Sequence, residues 1–259
     1  MGADLAEHYA QEPREDTRLT RSMHGRLEYL RTQELLRRAL PQPPAQVLDV
    51  GGGTGVHAQW LAADGYNVHV VDVVPDHVEA AATLPGVTAE LGDARRLRTP
   101  DGSVDVVLLL GPLYHLIDAV DRAQALAEGC RVLRPGGVLA AACISRYVSV
   151  IQAGANGRLT PELVPSLEKV IRTGRYDGHL GFMPTYFHTA EEMREEMSAT
   201  GMQDVAVYGI EGPAWPTLDA VGGENADRYV AAALRCARLV ESDPLLVNTS
   251  AHLLAIAHR

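Results

Sequence analysis

The chain has few of the residues that staple or metallate small folds. Its three cysteines, Cys130, Cys143 and Cys236, stand far apart and are odd in number, which excludes a disulfide framework and a zinc ribbon and predicts buried, reduced thiols. Ten histidines include no H-E-x-x-H and no paired-cysteine spacing, so no metal site is expected. Basic charge is scarce as well. With 23 Lys and Arg against 33 Asp and Glu the net charge is −10, the wrong sign for holding nucleic-acid phosphates by counterion release. No nucleic-acid partner is expected. Lys169 is the only lysine, and that bias reads as gene base composition rather than chemistry. No apolar run reaches the roughly 18 residues of a membrane helix. The segment Met1 to Tyr9 has neither a basic region nor an apolar stretch, which predicts no membrane association and a cytoplasmic location. Ala6 stands where a myristoylation signal needs Ser or Thr.

What is present is a globular pattern. Over 259 residues, 46% apolar content supports a sizeable core, and no repeat or long linker divides it. Leu19, Met23, Leu27, Leu30 and Leu35/Leu36 recur at helical spacing until Pro41-Gln42-Pro43-Pro44 stops them, giving an N-terminal helical cap over residues 1–44. From Gln46 short apolar runs alternate with helical stretches, the signature of a parallel sheet covered by helices on both faces. The runs begin at Val47, Val68, Val87, Val104 and Val138, and two more follow at Val205 and His252. The expected fold is therefore α/β, Rossmann-like, with a seven-stranded mostly parallel sheet. It divides into a cofactor-binding core (45–145), a lid insertion after strand five (146–190) and a C-terminal part (191–259), all one domain. Thr189 and Glu192 form a capping box at the first helix after the insertion.

Ligands of such sheets bind beyond the C-terminal strand ends. There, Asp49-Val50-Gly51-Gly52-Gly53-Thr54-Gly55 follows the first strand directly. Glycines let backbone N–H groups come close to a ligand. A dinucleotide fingerprint beginning at Gly51 needs glycine where Val56 stands, and no Lys-Ser or Lys-Thr makes a P-loop. Asp49 beside the glycines suits a cationic ligand part rather than a phosphate. Asp72, ending strand two, can accept both hydroxyls of a ribose. Asp93 and Ala94, after strand three, can meet an adenine amine and ring nitrogen.

Together these residues resemble the class I S-adenosylmethionine-dependent methyltransferases over about Gln46 to Ile144, most closely the small-molecule branch similar to the quinone-biosynthesis enzymes. The resemblance implies that Asp49 and the turn Gly51, Gly52 and Gly53 hold the methionine part of S-adenosylmethionine. It assigns the ribose to Asp72 and the adenine to Val73, Asp93 and Ala94, with Leu110 closing the fourth strand's end. It also implies that the leading helix covers the cofactor through the face carrying Gly25, Glu28, Tyr29 and Thr32, with Tyr9 folding over from upstream.

Methyl transfer from a sulfonium asks the protein mainly to orient the acceptor and exclude water. Gly111-Pro112-Leu113-Tyr114-His115 follows strand four where the family faces the methyl group. His115 is the candidate general base or orienting residue and Tyr114 its neighbour. The segment lacks the polar residue and second proline of nucleic-acid amino-methyltransferases, and only Asp118 is available as a metal ligand, so a metal-independent reaction on a small molecule is expected. Substrate contacts are expected from the insertion (Tyr176, His179, Phe182, Met183, Tyr186, Phe187 and His188) and from Glu211 and Trp215 at the mouth. Two other readings stay open: a non-catalytic S-adenosylmethionine-binding module, and a nicotinamide-dependent oxidoreductase. Oligomeric state is not legible.

Overall fold

The structure, a computed structural model, describes residues 19, 22–178, 183–220 and 225–259. Its architecture follows from how each apolar run divides its side chains. In β4, Val104–Leu109, Val106 and Leu108 enter the core on one face while Val107 and Leu109 enter the core on the other. In β5, Leu133–Ile144, Val138, Ala140 and Ala142 alternate in the same way with Leu139, Ala141 and Cys143. A strand buried on both faces must be covered by helices on both, which is what the alternating connections supply.

The remaining strands of the large sheet are β1 (Gln46–Val50), β2 (Asn67–Asp72), β3 (Val87–Leu91), β8 (Gln203–Gly209) and β9 (His252–His258). Their order is β3-β2-β1-β4-β5-β9-β8. The first five strands run parallel, and β9 runs antiparallel to both neighbours, β5 and β8. This reversal matters for the site. It brings the first residue of β9 to the edge where the parallel strands end, with His252 in register opposite Ile144.

Helix α1 (Met23–Ala39) is capped by the Ser22 hydroxyl, which accepts from the Gly25 N–H, and it contributes Leu35 and Leu36 to one face of the sheet. Helices α2 (Val56–Ala63) and α3 (Pro75–Ala82) cover the same face through Trp60, Leu61 and Ala81. Two helices close the opposite face: α5 (Ala119–Val132), and α8 (Ala190–Ser198), which opens with the expected capping box of Thr189 and Glu192. Between β4 and α5 lies the one-turn helix α4 (Pro112–His115).

The insertion contains α6 (Val148–Ala155), α7 (Val164–Thr173) and a two-stranded ribbon of β6 (Arg175–Tyr176) and β7 (Thr185–Tyr186). After β8 come α9 (Trp215–Ala220) and α10 (Ala226–Val240), which build a satellite core with Leu27 of α1. The cysteines are all free. Only Cys143 is buried, however, while Cys130 and Cys236 are half-buried. Among the described residues no helix is long and apolar enough to cross a membrane.

Candidate functional site

Two neighbouring cavities lie along the C-terminal edge of the sheet. The larger, about 290 Å³, is walled by Asp72, Val73, Asp93, Ala94, His115 and Met183 among others. The smaller, about 100 Å³, has Glu28, Thr32, Asp49, Thr54, Leu110 and His252 in its wall. Gly51, Gly53 and Tyr114 line both, so the glycine turn and Tyr114 form the partition.

The turn is built tightly. Gly51 has φ 70°, a left-handed conformation that disfavours a side chain, and a Cβ there would come within 2.8 Å of the Pro112 ring. A Cβ on Gly52 would come within 2.7 Å of Asp49 Oδ2. Glycine is thus required on both sides, to let α4 approach and to leave room for a carboxylate.

That carboxylate is unusual. Asp49 is 1% exposed and its Oδ2 has no hydrogen-bond partner, while most buried polar atoms are paired. Burial, with the charge of Asp72 adding to it, pushes its carboxyl up to about 7. Asp72 is better supported: its Oδ2 accepts from the Gly53 N–H and its Oδ1 from the Val74 N–H, both at 2.9 Å. The strand-two carboxylate therefore also fixes the shape of the glycine turn.

Asp93 is placed beside the larger cavity as expected, but its carboxylate is taken up by Arg95, with Nη2 at 2.6 Å and Nε at 3.0 Å. These hydrogen bonds outweigh partial burial and hold the carboxyl below its usual range. A second carboxylate, Asp121, meets the same guanidinium at 2.9 Å. Asp93 is thus paired with Arg95 while its carboxylate stays partly exposed at the cavity wall.

Several expected site residues lie elsewhere. Tyr29 lines neither cavity and packs 5.8 Å from the His57 ring; its helical neighbours Glu28 and Thr32 line the smaller one instead. Tyr9, His179 and Phe182 fall outside the described residues. Tyr186 is engaged by two cations, with the Arg122 guanidinium 3.7 Å from its ring and Arg146 Nη2 3.3 Å from its hydroxyl. His188 is wholly buried with Nε2 3.3 Å from Glu196, and burial outweighs that carboxylate to push the imidazole's pKa down. Both residues belong to a network with Arg122, Arg146, Glu192 and Glu196 that ties the insertion to α5 and α8. Tyr176 and Phe187 stack on each other, 5.2 Å between centroids, in a small core of their own. Of the aromatic-rich insertion, only Met183 and Pro184 among the described residues reach a cavity.

Trp215 and Glu211 are not at a mouth. Trp215 is wholly buried against Leu27, Leu218 and Val230, with its indole N–H donated to the Thr249 carbonyl. Glu211 is also wholly buried. Its Oε1 lies 2.6 Å from His252 Nδ1, and its Oε2 accepts from the Ser250 hydroxyl at 2.6 Å and the His252 N–H at 2.9 Å. Burial alone would push this carboxyl up. The charge of His252, its hydrogen bond to the carboxylate and the nearby His24 imidazole outweigh it and hold the carboxyl well below its usual range. His24, Glu211 and His252 each bring one ligand-type atom within 4.8 Å of one another, a juxtaposition that no sequence spacing announces. His252 was readable only as the start of the last strand. The missed signal was its position, because a polar residue opening an antiparallel last strand stands where the parallel strands end.

Residues 47–137 match the family model of the methyltransferase domain. The chain is 36% identical over 150 residues to methyltransferase GfsG of Streptomyces halstedii, covering 54% of this chain and 53% of that one. Over 105 residues it is 34% identical to the ubiquinone/menaquinone biosynthesis C-methyltransferase of Acidiphilium cryptum, covering 38% of this chain and 41% of that one. It thus spans about two-fifths to half the length of these curated relatives. A solved S-adenosylmethionine-dependent methyltransferase of Thermotoga maritima, described as a possible histamine N-methyltransferase, superposes with a TM-score of 0.61 at 19% identity, over all of this chain and 99% of the other. That last likeness is one of fold.

Proposed function

We propose, from the premise that this chain carries a class I S-adenosylmethionine-dependent methyltransferase domain, that it transfers a methyl group to an oxygen, nitrogen or carbon of a small-molecule acceptor and releases S-adenosylhomocysteine. The observation that carries the reading is Asp49. A buried carboxylate with an unpartnered oxygen, facing a cavity across a glycine turn, is costly unless a cation completes it. The ammonium of the cofactor's methionine part is such a cation. The rest of the donor set fits the same molecule: Gly51, Gly52 and Gly53 beside the methionine part, Asp72 at the ribose, and Val73 and Ala94 flanking the adenine.

When bound, the cofactor supplies a methyl group already activated by its sulfonium. The work of this chain is then to orient the acceptor and keep water out. Leu116, Ile117, Met183 and Pro184 give the larger cavity an apolar wall next to Tyr114 and His115. This lining favours an acceptor with an apolar flank, oriented by Tyr114 and His115.

Calorimetric titration with S-adenosylmethionine, S-adenosylhomocysteine and a reduced nicotinamide cofactor in one buffer tests the reading. Micromolar binding of the first two alone supports it; binding of only the nicotinamide cofactor overturns it. An acceptor screen by mass spectrometry follows, scored by the mass gain of one methyl group. Cofactor binding with no transfer across phenols, amines and activated carbons would make the chain a cofactor-binding module instead.

A further inference from the structure

We infer that His24, Glu211 and His252 form a binding site for a divalent transition ion of the zinc class, which ties α1 to the sheet beside the smaller cavity. The three residues come from α1, from the segment after β8 and from the first position of β9. Each brings one ligand-type atom within 4.8 Å of the other two. Glu211 is the anchor. Its Oε2 is fixed by the Ser250 hydroxyl and the His252 N–H, and its Oε1, 2.6 Å from His252 Nδ1, keeps a second lone pair. His24 Nε2 is the incomplete member of the set: it is shut away from solvent without a hydrogen-bond partner, 3.7 Å from the same Oε1. Stacking on the buried Trp215 indole, 4.8 Å between centroids, orients the His24 ring. A buried imidazole nitrogen left without a partner is costly, and a cation held between it, Oε1 and Nδ1 completes all three.

The donor set selects the ion. Two imidazoles and a carboxylate suit zinc and its first-row neighbours, whereas magnesium and calcium take oxygen ligands. Metal–ligand bonds near 2.1 Å put the ligand atoms of a tetrahedral ion about 3.3 Å apart. The Oε1–Nε2 distance of 3.7 Å is already close to that, and the 2.6 Å hydrogen bond opens towards it once the ion displaces the Nδ1 proton to solvent. Charge favours the exchange, because Glu28 Oε2 stands 3.8 Å from His252 Nδ1 and Asp219 Oδ2 stands 3.8 Å from His24 Nδ1. Asp219 is placed to hold the His24 ring from behind, as carboxylates do for metal-bound imidazoles. Glu28 shares a face of α1 with His24, lines the smaller cavity with His252, and is the candidate for the open fourth position. None of these four ligand candidates lines the larger cavity. The ion's part is therefore to fasten the helix that covers the smaller cavity.

The test uses the untagged full chain, stripped with a chelator and then given zinc or cobalt(II). Calorimetry should find one zinc per chain, with excess magnesium failing to compete. His24→Ala should lower zinc affinity by about 10²-fold or more, since losing even a partner behind a ligand costs about 10–100-fold. His69→Ala, on β2 and outside the cluster, should leave the affinity unchanged. Two readings need no variant: X-ray absorption of the zinc-loaded protein should show two imidazoles and no sulfur around the ion, and the cobalt(II) spectrum should be that of a nitrogen and oxygen site. Zinc should also raise the melting temperature of the unaltered protein but not of His24→Ala. Absence of stoichiometric zinc binding, an affinity unmoved in His24→Ala, or sulfur around the ion overturns the inference, and binding that leaves the melting temperature unmoved overturns the tie. No arm contains S-adenosylhomocysteine, so the result is independent of the methyltransferase reading.

Discussion

Asp49 and Glu211 are both carboxylates shut away from solvent at the C-terminal edge of one sheet, and their surroundings drive them in opposite directions. Asp49 has an oxygen with no partner and a carboxyl pushed up to about 7. Glu211 has partners on both oxygens and a carboxyl held well below its usual range, although burial opposes it. The difference separates two uses of a buried charge. A carboxylate completed by the chain orders its neighbours; one left incomplete waits for a ligand.

Removing each carboxylate should therefore change stability with opposite sign. Glu211→Ala strands two imidazoles, a hydroxyl and a backbone N–H around an empty space, and should cost roughly 3–5 kcal/mol. Urea denaturation at neutral pH measures it, and a loss below about 1 kcal/mol would remove the network from the fold's supports.

Asp49→Asn should do the reverse. Its folded-state carboxyl sits at about 7 against 3.8 for an ordinary one, so the native state holds this proton more tightly. The group's contribution to stability is full below about pH 4 and is lost as pH rises through 7. Asparagine mimics the protonated form at every pH. The ligand-free variant should gain roughly 2–4 kcal/mol at pH 8 and almost nothing near pH 4. Equal stability of the two proteins across that range would show that Asp49 is not strained in the empty site.

How far the sequence foretold this comparison depends on which carboxylate is considered. Asp49 is legible because it stands next to its glycines in a seven-residue stretch, and local spacing carries the argument. The sheet was legible for the same reason: β4 and β5 announce burial on both faces through the apolar runs 106–109 and 138–144. Glu211 and Trp215 misled because a carboxylate and an indole after a strand read as a loop at a mouth. Their actual partners, Ser250, Thr249, Leu27 and His252, come from distant segments. Tyr186 and His188 misled likewise. Aromatic density marked the insertion, but Arg122 and Glu196, which claim those side chains, arrive through α5 and α8. Periodicity locates elements, while the pairing of polar side chains across elements is a tertiary fact.

Asp72 lies between the two extremes, with both oxygens engaged by backbone N–H groups yet facing the larger cavity. Asp72→Ala should weaken S-adenosylhomocysteine binding by roughly 1–3 kcal/mol, through lost charge-assisted hydrogen bonds to the ribose and a loosened glycine turn. Calorimetry on the folded variant reads it directly, and unchanged affinity would take Asp72 out of the ligand site.

The smallest effect sharpens the comparison most, because it isolates one proton. If the cation of the ligand completes Asp49, only the ionised carboxylate receives it well, and the fraction ionised rises from about one-tenth to about nine-tenths between pH 6 and pH 8 for a midpoint near 7. S-adenosylhomocysteine affinity should then rise about tenfold over that interval, with uptake of the ligand accompanied by proton release below pH 7. Asp49→Asn should flatten the profile while lowering affinity at pH 8, whereas Glu211→Gln, whose carboxylate is already ionised throughout the interval, should leave the slope in place. A flat profile in the unaltered protein, or a slope that disappears in Glu211→Gln and persists in Asp49→Asn, would exchange the roles of the two carboxylates.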